Sequence, residues 1–232
     1  MENSALSAAV AATEAALFDF DGPICDVFAG RPAPEVAREL AETLATLDAK
    51  LGSKAHGMDD PMEVLRLAPQ GGEPVIRAIE EELTKAEVTA VRLAGAPIPG
   101  AIAALEAAHA SGRKVAVVSN NSTACVRAFL MLHDLHHLVH EVVGRTPYSP
   151  NLMKPNPHSL LHAAARLKTR RSRCTLIGDS VTDMTAAAAA DALSIGFANK
   201  PEKVSALVEA GAQAVITDMN ALAEVLASTK PE

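Results

Sequence analysis

Four short polar stretches carry the chemistry of this sequence, and four of their residues are aspartates. Asp19 and Asp21 end the apolar run Ala15 to Phe20 in Asp19-Phe20-Asp21-Gly22, and Asp179 and Asp183 follow Gly178 in Gly178-Asp179-Ser180-Val181-Thr182-Asp183. Ser119-Asn120-Asn121 closes the apolar run Lys114 to Val118, and Lys154 stands in Met153-Lys154-Pro155-Asn156-Pro157. Carboxylates gathered at one place repel one another unless a hard cation compensates, and an all-oxygen set without His or Cys suits magnesium. A hydroxyl, amides at a helix start and an ammonium suit the oxygens of a phosphoryl group. Together they point to phosphoryl chemistry assisted by a metal.

The elements that must position these residues follow from periodicity. Ala15 to Phe20, bounded by Gly22-Pro23, reads as a buried strand. From Gly100 onward helices and strands alternate. Strands are expected at Lys114 to Val118, Glu141 to Val143, Cys174 to Ile177, Leu193 to Phe197 and Ala214 to Ile216. Helices are expected over Ala101 to Ala110, Ser122 to Leu132 and Pro157 to Leu167, and from Val181, from Pro201 and at the end. This alternation predicts an α/β fold, a doubly wound parallel sheet with right-handed crossovers. Ligands of such sheets bind beyond the carboxyl ends of the strands, so the four polar stretches converge at one edge.

Residues 26–96 interrupt the pattern without one strand-like run. Val36, Leu40, Leu44, Leu47 and Leu51 form a helical stripe across Pro34 to Leu51. Asp60-Pro61 starts another helix, and a third runs from Pro74 toward Leu93 before Pro97-Ile98-Pro99-Gly100. The expected organisation is a catalytic core, residues 1–25 and 97–232, carrying an inserted all-helical cap over residues 26–96. Met1 to Thr13, Ala-rich, is expected as a frayed helical arm without function.

Composition narrows the class. The chain has 232 residues, enough for one core with a small accessory domain, and 49% hydrophobic against 21% charged residues disfavours disorder. A net charge of -7, no Trp and a single Tyr oppose nucleic-acid binding. The basic run Lys168, Arg170, Arg171 and Arg173 reads as a solvated helix end. Cys25, Cys125 and Cys174 lack framework spacing, so no disulfide is expected, and without a signal peptide or a long apolar run the expected address is cytoplasmic, with no membrane partner.

Taken in order, Asp19-Phe20-Asp21-Gly22, Ser119, Lys154-Pro155 and Gly178-Asp179-Ser180-Val181-Thr182-Asp183 resemble the four motifs of the haloacid-dehalogenase-like (HAD) hydrolase superfamily. The long stretch between Asp21 and Ser119 puts the cap at the family's first insertion point, as in its phosphoglycolate-phosphatase-like and beta-phosphoglucomutase-like branch. The resemblance implies a magnesium-dependent phosphatase acting on a small phosphorylated metabolite through an aspartyl-phosphate. Asp19 is then the nucleophile and Asp21 the acid and base. Asp19, Asp179 and the Asp21 carbonyl are the magnesium ligands, Asp183 acts in the outer shell, and Ser119, the Asn120 amide and Lys154 bind the phosphoryl group. A phosphomutase fits the same motifs. A signalling receiver domain shares the Asp, metal, hydroxyl and Lys, but needs neither the insertion nor the final motif.

Several other residues have structural readings. His133, His136, His137 and His140 are expected to form a polar helix end, and Met58, Met62, Met131 and Met153 to fill gaps. In the cap, Arg31, His56 and Asp59-Asp60 are candidates to face substrate, Asp60 also serving as a helix cap.

Overall fold

A computed structural model describes residues 2–231. Six parallel strands, β1 (Ala15–Phe18), β2 (Lys114–Ser122), β3 (Glu141–Arg145), β4 (Cys174–Gly178), β5 (Leu193–Phe197) and β6 (Ala214–Ile216), form one sheet in the order β3-β2-β1-β4-β5-β6. β1 lies between β2 and β4, and its four residues are buried. Phe18 is level with Val117 and with Ile177, so the residues just beyond, Asp19, Ser119 and Asp179, emerge together at the carboxyl edge.

Alternation along the strands feeds two apolar layers. Ala16, Phe18, Val115, Val117 and Ile195 pack on one face with α1 (Glu2–Ala11), α6 (Ala101–Ala110), α7 (Thr123–Leu132) and α11 (Met219–Ser228). Ala15, Leu17, Ala116, Val118 and Leu176 pack on the other with α8 (His158–Arg166) and α9 (Val181–Ala189). α10 (Lys203–Glu209) lies against Met184 through Leu207.

The segment between β1 and β2 holds α2 (Ala33–Leu47), α3 (Ala49–Ala55), α4 (Pro61–Leu67) and α5 (Glu73–Leu93) around an apolar cluster that includes Val36, Leu44, Val64, Ile79 and Leu83. α5 belongs to two layers. Its Ile79 and Leu83 join that cluster, while Ala90 and Val91 pack under the sheet.

Four expectations are corrected. The helix expected from Pro34 to Leu51 breaks at Asp48, whose carboxylate caps α3 by accepting from Lys50 and Leu51 N–H at 2.9 and 3.0 Å. Leu47, counted in the stripe, is exposed. β2 runs on to Ser122, so the whole Ser119–Ser122 segment belongs to the strand. Met131 is exposed, whereas Met153, Met58 and Met62 do pack on the helical cluster.

The fourth correction concerns the expected arm, of which Met1 lies outside the described residues. α1 is docked, with Leu6, Ala9 and Val10 buried against the sheet layer. Arg113 explains its anchorage: this buried guanidinium donates to the carbonyls of Val10 (2.9 Å), Thr13 (3.1 Å) and Thr229 (2.8 Å). It thereby ties the ends of α1 and α11, whose last carbonyls have no partners within their own helices.

The histidines sit at a helix end as expected. α7 stops at Leu132, His136–Leu138 form a single 3-10 turn, and His140 Nδ1 accepts from Val115 N–H at 3.0 Å. Of the basic run, Arg173 meets Glu14 and Arg171 meets Asp191. All three cysteines are buried free thiols. Among the described residues no helix is long and apolar enough to cross a membrane.

Candidate active site

The turn after β1 is fixed by its backbone. Phe20 C=O accepts from Ile24 N–H (3.2 Å) and Cys25 N–H (2.9 Å), and Gly22 N–H donates to Cys25 C=O at 2.7 Å. Gly22 has φ +108°, and a Cβ there would lie 2.4 Å from Asp179 Cγ, so glycine both makes the turn and admits the second acidic motif. Asp19 Oδ1 accepts from Phe20 N–H at 2.7 Å, and Asp21 Oδ1 from Val27 N–H at 3.0 Å.

Lys154 is the centre of the site. Only 2% exposed, its ammonium lies 2.7 Å from Asp19 Oδ1, 2.6 Å from Asp183 Oδ1 and 3.3 Å from Val118 C=O. Burial works against the charged ammonium, but Asp183 and Asp19 outweigh it and hold its pKa above the ordinary value. Its backbone is held as firmly: Lys154 N–H donates to Asn120 Oδ1 (2.8 Å), and Asn120 Nδ2 donates to Lys154 C=O (3.3 Å).

The second acidic motif is a helix cap put to further use. Ser180 Oγ and N–H donate to Asp183 Oδ2 at 2.6 and 3.1 Å, and Asp183 N–H donates back to Ser180 Oγ, a reciprocal cap that starts α9. Gly178 permits it, since a Cβ there would meet the Asp183 side chain at 2.5 Å. Asp183 is fully buried, with Lys154 on one oxygen and Ser180 on the other. Asp179 Oδ2 accepts from Lys203 Nζ (2.5 Å) and Asn199 Nδ2 (3.1 Å), two contacts that sequence reading missed.

Ser119 Oγ is buried; it donates to Asn121 Oδ1 at 3.1 Å and accepts from Asn121 N–H at 3.0 Å. Behind it lies a second feature that sequence reading missed. Arg145, at the end of β3, is buried between Glu80 and Glu87 of α5, with contacts of 2.8 Å to each, and donates at 2.8 Å to Asn120 C=O. Glu87 also accepts from Ser122 N–H (2.9 Å) and Asn121 Nδ2 (3.2 Å). The insert's longest helix is thus bonded to the strand end carrying Ser119. Glu80 and Glu87, seven apart on one face beside Ile79 and Leu83, were the available signal.

These residues line one cavity of about 360 Å³ that includes Asp19, Asp21, Ser119, Asn120, Lys154 and Asp179. The insert contributes Asp59 and Asp60 to its wall, and Asp60 also caps α4 by accepting from Met62 N–H at 2.8 Å. His56 instead lines a neighbouring cavity, and Arg31 pairs with Glu39 away from the site.

The electrostatics call for a cation. Burial, then repulsion from Asp183, pushes Asp19 well above the ordinary carboxylate range, against the opposing pull of Lys154. Burial raises Asp21 to about 7, and Asp179 is raised by burial despite Lys203. Asp19, Asp179 and Asp183 each bring a carboxylate oxygen to within 4.8 Å of the others, an all-oxygen set that fits a hard divalent ion. The side chain of Asp21 is not part of that cluster.

A parallel sheet thus carries a helical insert after its first strand and a carboxylate and lysine site at its carboxyl edge. The chain belongs to the haloacid dehalogenase-like hydrolases, whose family model matches residues 13–191. It is 28% identical over 233 residues to a phosphoglycolate phosphatase of Rhodospirillum rubrum, covering 94% of this chain and 92% of that one. It is 25% identical over 196 residues to a phosphoglycolate phosphatase of Colwellia psychrerythraea, covering 79% and 84%. Among solved structures, a beta-phosphoglucomutase from Clostridium difficile matches with TM-score 0.65 and 20% identity over 90% of this chain and 92% of that one. A HAD family hydrolase from Deinococcus radiodurans, with bound phosphate and sodium, matches with TM-score 0.59 and 24% identity, covering 93% and 97%. Membership in a hydrolase family sets aside the receiver domain.

Two outcomes follow from this geometry. Arg145→Met strands two buried carboxylates and should cost about 3–5 kcal/mol in urea unfolding; a loss below about 1 kcal/mol means the pair is screened like a surface one. For Asp21 the folded pKa, about 7, exceeds the ordinary 3.8, so the unfolded chain binds fewer protons between those values. Its contribution is complete at the acidic end and lost as pH rises through 7. In chelator, Asp21→Asn should therefore flatten the fall in stability over that window, and an unchanged slope contradicts the assignment.

Proposed function

We propose that this protein is a magnesium-dependent phosphatase that hydrolyses a small phosphorylated metabolite through an aspartyl-phosphate on Asp19. The observation that carries this reading is the buried Lys154 ammonium, held between Asp19 and Asp183 at the floor of a cavity that also presents Ser119 and Asp21. The phosphoglycolate phosphatases of Rhodospirillum and Colwellia support a small phosphomonoester as the substrate class. A cytoplasmic address is the companion expectation, supported by three buried free thiols.

Asp19, Asp179 and the backbone carbonyl of Asp21 would hold magnesium, which supplies positive charge that offsets the crowded carboxylates and the phosphoryl oxygens. Asp183, with its oxygens on Lys154 and Ser180, orients the lysine from beside the metal. Phe20 N–H and Lys154 both meet Asp19 Oδ1, so the other oxygen is engaged by neither. That oxygen attacks phosphorus as the bond to the leaving oxygen breaks, with Lys154 and the Ser119 hydroxyl on the phosphoryl oxygens. Asp21, poised near neutrality, gives its proton to the leaving alkoxide. In the second half it takes a proton from water as that water attacks phosphorus, and the bond to Asp19 breaks to release phosphate.

With magnesium, a panel of phosphomonoesters should yield inorganic phosphate, and chelator should abolish it. Asp19→Asn should leave no covalent adduct. Asp21→Asn should lose roughly 100- to 10,000-fold in turnover, yet still show a phosphate adduct by intact-protein mass spectrometry with a reactive aryl phosphate. Equal trapping by both variants places the acceptor elsewhere. Return of the phosphoryl group to a sugar, without free phosphate, identifies a phosphomutase instead.

A further inference from the structure

The phosphatase reading leaves the leaving group open, and the part of the cavity wall that the insert supplies bears on it. Asp59 and Asp60 join the cavity from the loop before α4, beside Phe28 and Met62. The lining includes one Lys and no Arg among the described residues: Lys154, committed to Asp19 and Asp183 at the floor. The adjoining cations already have partners: Lys203 is paired with Asp179 of the same cavity, and Arg66 donates to the carbonyls of Lys154 and Pro150. The acidic character continues outward, because Asp59 also lines a neighbouring cavity of about 550 Å³ that adds Glu35 and Glu42 against Arg38.

A substrate seated with its phosphoryl group over Lys154 therefore turns its leaving group toward carboxylates. A leaving group with its own carboxylate meets like charge with no cation to pair it, whereas a protonated amine meets two acceptors of opposite charge. Both carboxylates are exposed, so they act as charges in a water-filled cavity. Resting on the phosphatase reading, we propose that Asp59 and Asp60 make this a phosphatase for small amine-bearing phosphomonoesters and select against carboxylate-bearing ones. The two carboxylates are one wall of the catalytic cavity, not a separate site.

Three esters with two-carbon leaving groups of different charge test this: phosphoethanolamine, 2-hydroxyethyl phosphate and 2-phosphoglycolate. They are compared by kcat/KM, and also by competition against p-nitrophenyl phosphate, which ranks an ester even when its own turnover is slow. The amine should rank first and the carboxylate last. Asp59→Asn with Asp60→Asn keeps a capping side chain before α4 and should compress the amine-to-carboxylate ratio by roughly 10-fold, the size of a close charge interaction in a water-filled cavity.

A wild-type protein that prefers 2-phosphoglycolate, or one whose ratio is unmoved by the double variant, overturns the inference and leaves the phosphatase reading standing. Absence of magnesium-dependent phosphate release from p-nitrophenyl phosphate overturns the phosphatase reading, and this inference with it.

Discussion

The Lys154 ammonium, buried between Asp19 and Asp183, is the interaction on which the rest of the site depends. A buried cation is tolerated only with well-placed partners, and removing either partner leaves a charge that water cannot reach. The sheet register supplies one partner, because the step beyond Phe18 brings Asp19 out beside the ends of β2 and β4. The α9 cap supplies the other, and Gly178 clears the space for it. The Val118 carbonyl of β2 adds a third contact at 3.3 Å, so three separate segments converge on one nitrogen, while Asn120 fixes the lysine backbone. Asp21 stands just outside this balance, where burial without a cation of its own leaves it near neutrality.

The helical insert is bonded to the same edge. α5 packs under the sheet through Ala90 and Val91 and sends Glu80 and Glu87 to Arg145, which in turn holds the Asn120 carbonyl. The helix that follows Asp59 and Asp60 meets the Lys154 loop directly, since Arg66 of α4 donates to the carbonyls of Lys154 (3.1 Å) and Pro150 (3.4 Å).

The sheet and the acids were legible because short apolar strands ending in polar residues have few other readings, and the alternation of strands and helices places those ends together. What escaped depended on tertiary partners. Glu80, Glu87 and Arg145 look like surface charges until α5 is set against β3. Lys203 and Asn199 reach Asp179 only across the β5 to α10 loop. The break at Asp48 was hidden because Leu47, which the structure leaves exposed, completed the stripe, although an Asp with cap geometry was there to mark it. The docked α1 was invisible for a similar reason, since its anchor, Arg113, lies about a hundred residues away.

The central claim is that Asp19 accepts the phosphoryl group on a floor already charged by Lys154. A crystal structure with magnesium and beryllofluoride, a stable mimic of a phosphoryl group on a carboxylate, tests it most directly. The account predicts beryllium bonded to Asp19 with fluorides against Lys154 Nζ and Ser119 Oγ. Beryllofluoride bonded to another carboxylate, or an Asp19 left unmodified while Lys154 swings away from the cavity, contradicts it.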